Sequence, residues 1–85
     1  MKVAYAPRFL QDYEQLDSVL KRRVEKQIGL FLKNPRHHSL RVHKMKGYTD
    51  IYEARITKGY RLTFEWREDT CILRRVGTHD ILQTP

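Results

Sequence analysis

The sequence predicts an α+β fold: an N-terminal strand and a helical hairpin packed on one face of a small, twisted, mainly antiparallel sheet. Three observations predict it. Apolar residues recur at helical spacing between residues 7 and 33. From residue 39 the period changes to two, and short turn sequences cut the second half into hairpins. Helices followed by a run of hairpin-linked strands give an α+β architecture with helices on one face.

Residues 1–6 alternate polar and apolar and read as a short strand closed by Pro7. Phe9, Leu10, Tyr13 and Leu16 then mark a helix over about 7–15. Leu20, Val24, Ile28, Phe31 and Leu32 mark a second over 18–33, with Asp17-Ser18 supplying N-cap chemistry between them. The two form an antiparallel hairpin. Asn34-Pro35 ends the second helix, because the residue before proline is pushed out of the helical region. Strands are expected at 40–45, 51–57, 60–67 and 70–76, with turns at Lys46-Gly47, Thr57-Lys58-Gly59 and Glu68-Asp69.

Eighty-five residues make one domain, 1–85, in which every sizeable apolar side chain is committed to a single core. The lone Cys71 excludes an internal disulfide framework and a zinc–cysteine cluster, which suits a reducing cytoplasm. No apolar run approaches the ~20 residues of a membrane helix, and the first residues lack the pattern of a secretory signal. The formal net charge of +7 favours a polyanionic partner: nucleic acid, an anionic surface or an acidic protein.

Strand register exposes a candidate site. In 60–67, Tyr60, Leu62, Phe64 and Trp66 share one face, while Arg61, Thr63, Glu65 and Arg67 share the other. A two-residue loop at Lys58-Gly59 would pair Ile56 with Arg61 and mix the faces. A three-residue loop, with Gly59 left-handed, pairs Ile56 with Tyr60 and Ala54 with Leu62. It also sets Arg55 opposite Arg61 and Glu53 opposite Thr63. Like charges directly opposite destabilise a sheet, and an anion between them would reverse the sign. The alternative is a solvated face on which Glu53 and Glu65 neutralise the pair.

Residues 36–46 hold Arg36, His37, His38, Arg41, His43, Lys44 and Lys46 without an acid. That field suits a phosphate backbone, or else a solvated loop and an edge strand protected by its lysines. His37 and His38, adjacent on an extended segment, point to opposite sides and make no metal site. After the last strand, Gly77 allows a turn that brings His79 back over the sheet, where an imidazole can pass protons. Trp66 and Tyr60 fall on the core face, which leaves Tyr48 as the exposed stacking candidate.

The order of elements, with Lys44-Met45-Lys46-Gly47, Gly59-Tyr60-Arg61-Leu62 and Arg75-Val76-Gly77-Thr78-His79-Asp80, resembles the RelE/ParE superfamily of type II toxin–antitoxin toxins, in its RelE-like branch, over essentially the whole chain. The resemblance implies a RelE-like fold and a ribosome-dependent mRNA endoribonuclease that needs neither metal nor cofactor. In such an enzyme the ribose 2′-OH attacks the adjacent phosphate, so DNA does not react. By the same resemblance Arg61 is the phosphate-binding arginine, Arg55 a second cation, and His79 and His43 acid–base groups. Glu53 is then either a base or the carboxylate that holds the arginines. Arg36, Arg41, Lys44 and Lys46 would bind mRNA or ribosomal RNA. The implied partners are a cognate acidic antitoxin, the ribosome and mRNA, with operator DNA reached only through the antitoxin and no membrane involved.

The chain departs from the pattern after His79, where Ile81-Leu82-Gln83-Thr84-Pro85 offers no aromatic to stack on a base. A ParE-like gyrase inhibitor and a non-catalytic nucleic-acid-binding module are the competing expectations. Base and acid stay unassigned among His43, His79 and Glu53.

Overall fold

The structure, a computed structural model, describes residues 2–85. Strand β1 (Lys2–Tyr5) leads into α1 (Pro7–Glu14) and α2 (Ser18–Lys33). A 3-10 turn at His38–Leu40 precedes β2 (His43–Lys44), β3 (Ile51–Arg55), β4 (Tyr60–Arg67) and β5 (Thr70–Thr78), and a second 3-10 turn, His79–Gln83, follows. The strands form one sheet in the order β1-β5-β4-β3-β2, parallel only between β1 and β5. This is the expected α+β arrangement. Met1, with which the expected first strand begins, lies outside the described residues.

The helix boundaries follow their local chemistry. Pro7 starts α1, where a missing N–H costs nothing. Asp17 caps α2 by accepting from the Leu20 amide at 2.8 Å. The Tyr13 hydroxyl donates to Glu25 at 2.6 Å, and the Lys21 ammonium sits 5.4 Å from the Tyr13 ring centroid. The end of α1 therefore meets the start of α2, as an antiparallel hairpin requires. The Glu25 hydrogen bond, with burial second, pushes the Tyr13 phenol up to about 12.

The core lies between the helices and one face of the sheet. Phe9, Val24 and Phe31 meet Ala54, Leu62, Phe64, Leu73 and Val76, all essentially excluded from solvent. Each large side chain so buried contributes roughly 1.5–3 kcal/mol. Phe31 is the wedge: its ring meets Phe64 edge-on at 4.8 Å and stacks over Trp66 at 5.7 Å. Tyr60 and Trp66 pack against this core, as the alternation predicts. Strand β1 covers only Thr70–Leu73 of β5. Further along, Asp12 of α1 accepts from the Val76 amide at 3.2 Å and so closes that exposed edge. Among the described residues no helix is long and apolar enough to cross a membrane.

The register is the one the three-residue loop implies: Ala54 faces Leu62, Arg55 faces Arg61, and Glu53 faces Thr63. The Ile56 amide donates to the Tyr60 carbonyl at 3.0 Å. Gly59, however, is not left-handed; among the described residues only Arg41, Glu68 and Gly47 have positive φ. Thr57 organises the loop instead. Its hydroxyl accepts from the Gly59 amide at 3.2 Å, and its carbonyl accepts from the Tyr60 amide at 3.4 Å.

Other expectations are corrected as well. The strand expected at 40–45 shrinks to His43–Lys44, because His37 Nδ1 accepts from the Ser39 amide at 3.2 Å and starts a tight turn. The same turn refutes the opposed orientation of His37 and His38, whose rings stack 4.6 Å apart. Strand β3 stops at Arg55 while β5 runs on to Thr78. Gly77 therefore lies inside a strand, opposite Arg61, rather than in a turn. A Cβ there would come 2.8 Å from Ile81 Cγ2, so the glycine lets the final 3-10 turn press against the sheet.

Candidate active site

The sheet's second face carries Glu53, Arg55, Arg61, Thr63, Glu65 and Arg67 by alternation. At one end of it Arg41, His43, Glu53, Arg55, Arg61 and His79 line an open hollow of about 360 Å³. Five of these residues are cationic or titratable bases, against one carboxylate.

Each arrives by a separate piece of local structure. The pairing of β2 with β3 puts His43 directly across from Glu53. Strands β3 and β4 bring Arg55 and Arg61 face to face. The close approach at Gly77 seats the 3-10 turn that begins with His79, whose start Thr78 caps through its hydroxyl. Arg41 ends the preceding 3-10 turn with φ 47° and ψ 46°, a left-handed conformation that costs a non-glycine residue about 1–3 kcal/mol. Strain of this kind collects where a side chain is aimed for function.

Glu53 is buried, at 7% exposure, and both of its oxygens are engaged. Oε1 takes Arg61 Nε at 3.1 Å and Oε2 takes His43 Nε2 at 3.0 Å. The other His43 nitrogen, Nδ1, lies 3.1 Å from the Arg41 carbonyl. Both neighbours of the ring are acceptors, so the imidazole makes both bonds only when it carries both protons. Arg61 Nη1 donates to the carbonyls of Thr57, Lys58 and Tyr60 at 2.9–3.1 Å. The guanidinium is thus held on two edges, and Nη2 has no protein partner among the described residues. The side chains of Arg41, Arg55 and His79 likewise have none.

The juxtaposed arginines are therefore not neutralised as a pair. Glu53 takes Arg61 and leaves Arg55 alone, while Glu65 is spent on Arg67 and Arg74 at the far end of the face. That corrects the solvated-face alternative, in which both glutamates served the two arginines.

The hollow gathers six of the sequence candidates. The remaining three, Arg36, Lys44 and Lys46, lie outside it. Arg36 borders a neighbouring cavity of about 500 Å³ with Tyr52 and Trp66, which shares only Arg41 with the hollow. Lys44 is exposed and points away from His43 by strand alternation, and Lys46 is exposed in the following turn. The candidates overlook Arg23, Lys26 and Lys58, which line an adjoining trough with Arg41 and Arg55. Their signal was Arg23, Lys26, Gln27 and Leu30 at positions i, i+3, i+4 and i+7 of one helix face.

No protein-family model matches the chain, and no curated protein matches it by sequence. Solved structures do match. YafQ from E. coli strain BL21(DE3) superposes with a TM-score of 0.78 at 16% identity, over 95% of this chain and 96% of that one. In the RelB–RelE antitoxin–toxin complex from Methanococcus jannaschii the values are 0.76 and 24%, over 94% of each chain. In the DinJ–YafQ toxin–antitoxin complex from E. coli they are 0.80 and 16%, over 95% and 94%. The chain has the fold of the RelE-type toxins. In this RelE-type fold the hollow sits where the final turn folds back over the second face of the sheet.

Proposed function

We propose that the chain is the toxin of a type II toxin–antitoxin system and acts as a ribosome-dependent mRNA endoribonuclease. One observation carries the reading: a hollow with a surplus of unpaired guanidinium groups beside two imidazoles, in a RelE-type fold. Cleavage of RNA through its own 2′-OH needs three things. A group must take the 2′-OH proton, cations must balance charge growing on the phosphoryl oxygens, and a group must return a proton to the leaving O5′.

The residues divide these tasks. Arg61, fixed by Glu53 and the turn carbonyls, presents Nη2 as a preorganised donor for a phosphoryl oxygen. Arg55 and Arg41 supply further positive charge from the walls. His79, exposed and unpartnered, is free to exchange a proton with a reacting oxygen. His43 is the second imidazole, oriented by Glu53 in the manner of a carboxylate–histidine pair. Glu53, with both oxygens engaged, acts as the clamp rather than as a base. Lys44, Lys46 and Arg36 contribute outer phosphate contacts. The reaction requires neither metal nor cofactor and runs on ribosomes in the cytoplasm.

A cognate antitoxin is the second partner, since the RelB–RelE and DinJ–YafQ relatives are toxin–antitoxin complexes. An acidic segment laid over the basic face would meet the same surplus of charge. Primer extension on programmed ribosomes tests the proposal. The expected result is cutting within the decoding codon, with cyclic-phosphate and 5′-OH ends, abolished by a 2′-O-methyl group at the cut position. Intact mRNA in cells arrested by the protein would refute it.

A further inference from the structure

We propose a second anion site, a trough that holds the backbone of the single-stranded RNA leading away from the cleaved phosphate. It rests on reading the hollow as a phosphodiester site. The trough, of about 860 Å³, lies between α2, the 37–41 segment and the turn after β3. Arg23, Lys26, Arg41, Arg55 and Lys58 line it, and no carboxylate does. None of those five side chains has a hydrogen-bond or ion-pair partner among the described residues. Elsewhere in the molecule Arg61, Arg67, Arg74 and Arg75 are each paired with an acid. The trough thus brings five unpaired cations together with no counter-charge among its lining residues.

The trough is built, not a chance cluster on mobile stems. Gln27 of α2 is 8% exposed, and its Nε2 donates to the Arg55 carbonyl at 3.0 Å. That bond ties the helix bearing Arg23 and Lys26 to the strand bearing Arg55. Arg41 and Arg55 line both trough and hollow, so the two positive sites are continuous. The stacked rings of His37 and His38 form part of the wall. A positive groove beside a flat π-surface is the arrangement that tracks a single strand: phosphates on the cations, a base against the rings. An acidic peptide would use the charge and leave the flat surface idle.

The test is binding without cleavage. A fluorescein-labelled 2′-O-methyl RNA of about 15 nucleotides lacks the free nucleophile, and its anisotropy reports affinity across salt concentrations. Arg23→Ala/Lys26→Ala is compared with Arg22→Ala/Lys33→Ala, which removes equal charge from the same helix outside the trough. All four side chains are exposed, and thermal melts check that both variants stay folded. The trough variant should bind about tenfold more weakly or worse, with a log K–log[salt] slope shallower by about 1.4, ~0.7 for each lost phosphate. The control should change little. Equal weakening in the two variants would overturn the proposal, as only net charge would then matter. So would RNA binding that ignores the trough variant while polyglutamate binding follows it, which would assign the groove to an acidic protein. A wild type that fails to cut mRNA yet keeps the trough-specific slope would strike the nuclease reading and leave the trough standing.

Discussion

The second face of the sheet holds two buried glutamates in opposite settings. Glu65 and Glu53 are equally secluded, at 7% exposure each. Around Glu65 the charges close. Arg74 Nη1 meets it at 2.5 Å and Arg67 Nε at 2.8 Å, and Arg74 Nε also donates to the Pro85 O at 3.2 Å. Thr63 donates to the same oxygen, and Arg75 is gripped by Asp12. Around Glu53 they do not close. One arginine and one histidine use both of its oxygens, while Arg55, Arg41 and His79 remain without partners. The same residue types thus build a structural lock at one end and the proposed anion site at the other. The difference is reach: each guanidinium at the closed end contacts a carboxylate, whereas Arg55 and Arg41 at the open end contact none, which is the basis for proposing an external anion there.

Variants at the two ends should separate function from stability. The largest effect is expected from Arg61→Ala, which removes the fixed donor and should slow mRNA cleavage about 10²–10³-fold, the usual scale for losing one preorganised donor. Single-turnover cleavage on programmed ribosomes measures it. Gly77→Ala comes next. Its Cβ would collide with Ile81 Cγ2 and lift the turn that bears His79, so cleavage should fall about tenfold or more. RNA affinity should be nearly unchanged.

At the closed end Glu65→Gln should cost about 1–2 kcal/mol, since Arg67 is exposed and its pairing counts for little. On a domain of this size that lowers Tm by roughly 4–8 °C per kcal/mol, with the hollow intact. The Arg67 hydrogen bond, opposed by burial and seconded by Arg74, holds the Glu65 carboxyl below its usual value of 4.5. A carboxyl lowered on folding stabilises the protein above its unfolded value. That contribution fades as pH falls through the folded one, so Glu65→Gln should flatten the loss of stability below about pH 4.5 in melts across pH. The smallest effect concerns Cys71. Burial pushes its thiol up to about 12, so a disulfide reagent near neutral pH should leave the native protein unlabelled.

Much of the open end was legible in the sequence. Period-two faces in 51–57 and 60–67 fix the register, and the register alone puts Arg55 beside Arg61. Asp17 and Pro35 announce the limits of the second helix through local chemistry. What stayed hidden depends on contacts between distant parts of the chain. The left-handed Arg41 shortens β2, yet nothing local marks an arginine for that conformation. Glu65 is drawn away from the arginine pair by Arg74, the extra residue of a bulge between β4 and β5, and by Pro85, eleven residues further along. Gly77 reads locally as a turn residue, and only the docked Ile81 makes it a packing requirement. Arg23 and Lys26 read as an ordinary solvated helix face until Gln27 ties that helix to β3.

The most direct test of the central claim sets Arg55→Ala against Arg74→Ala, with mRNA cleavage on programmed ribosomes and Tm measured for both. Arg55 has no partner to lose, so its removal should lower cleavage about tenfold or more and leave Tm unchanged. Arg74→Ala should lower Tm and keep cleavage at temperatures where the protein is folded. Wild-type cleavage by Arg55→Ala, or lost cleavage in a folded Arg74→Ala, would contradict the assignment of the unpaired end to the reacting phosphate.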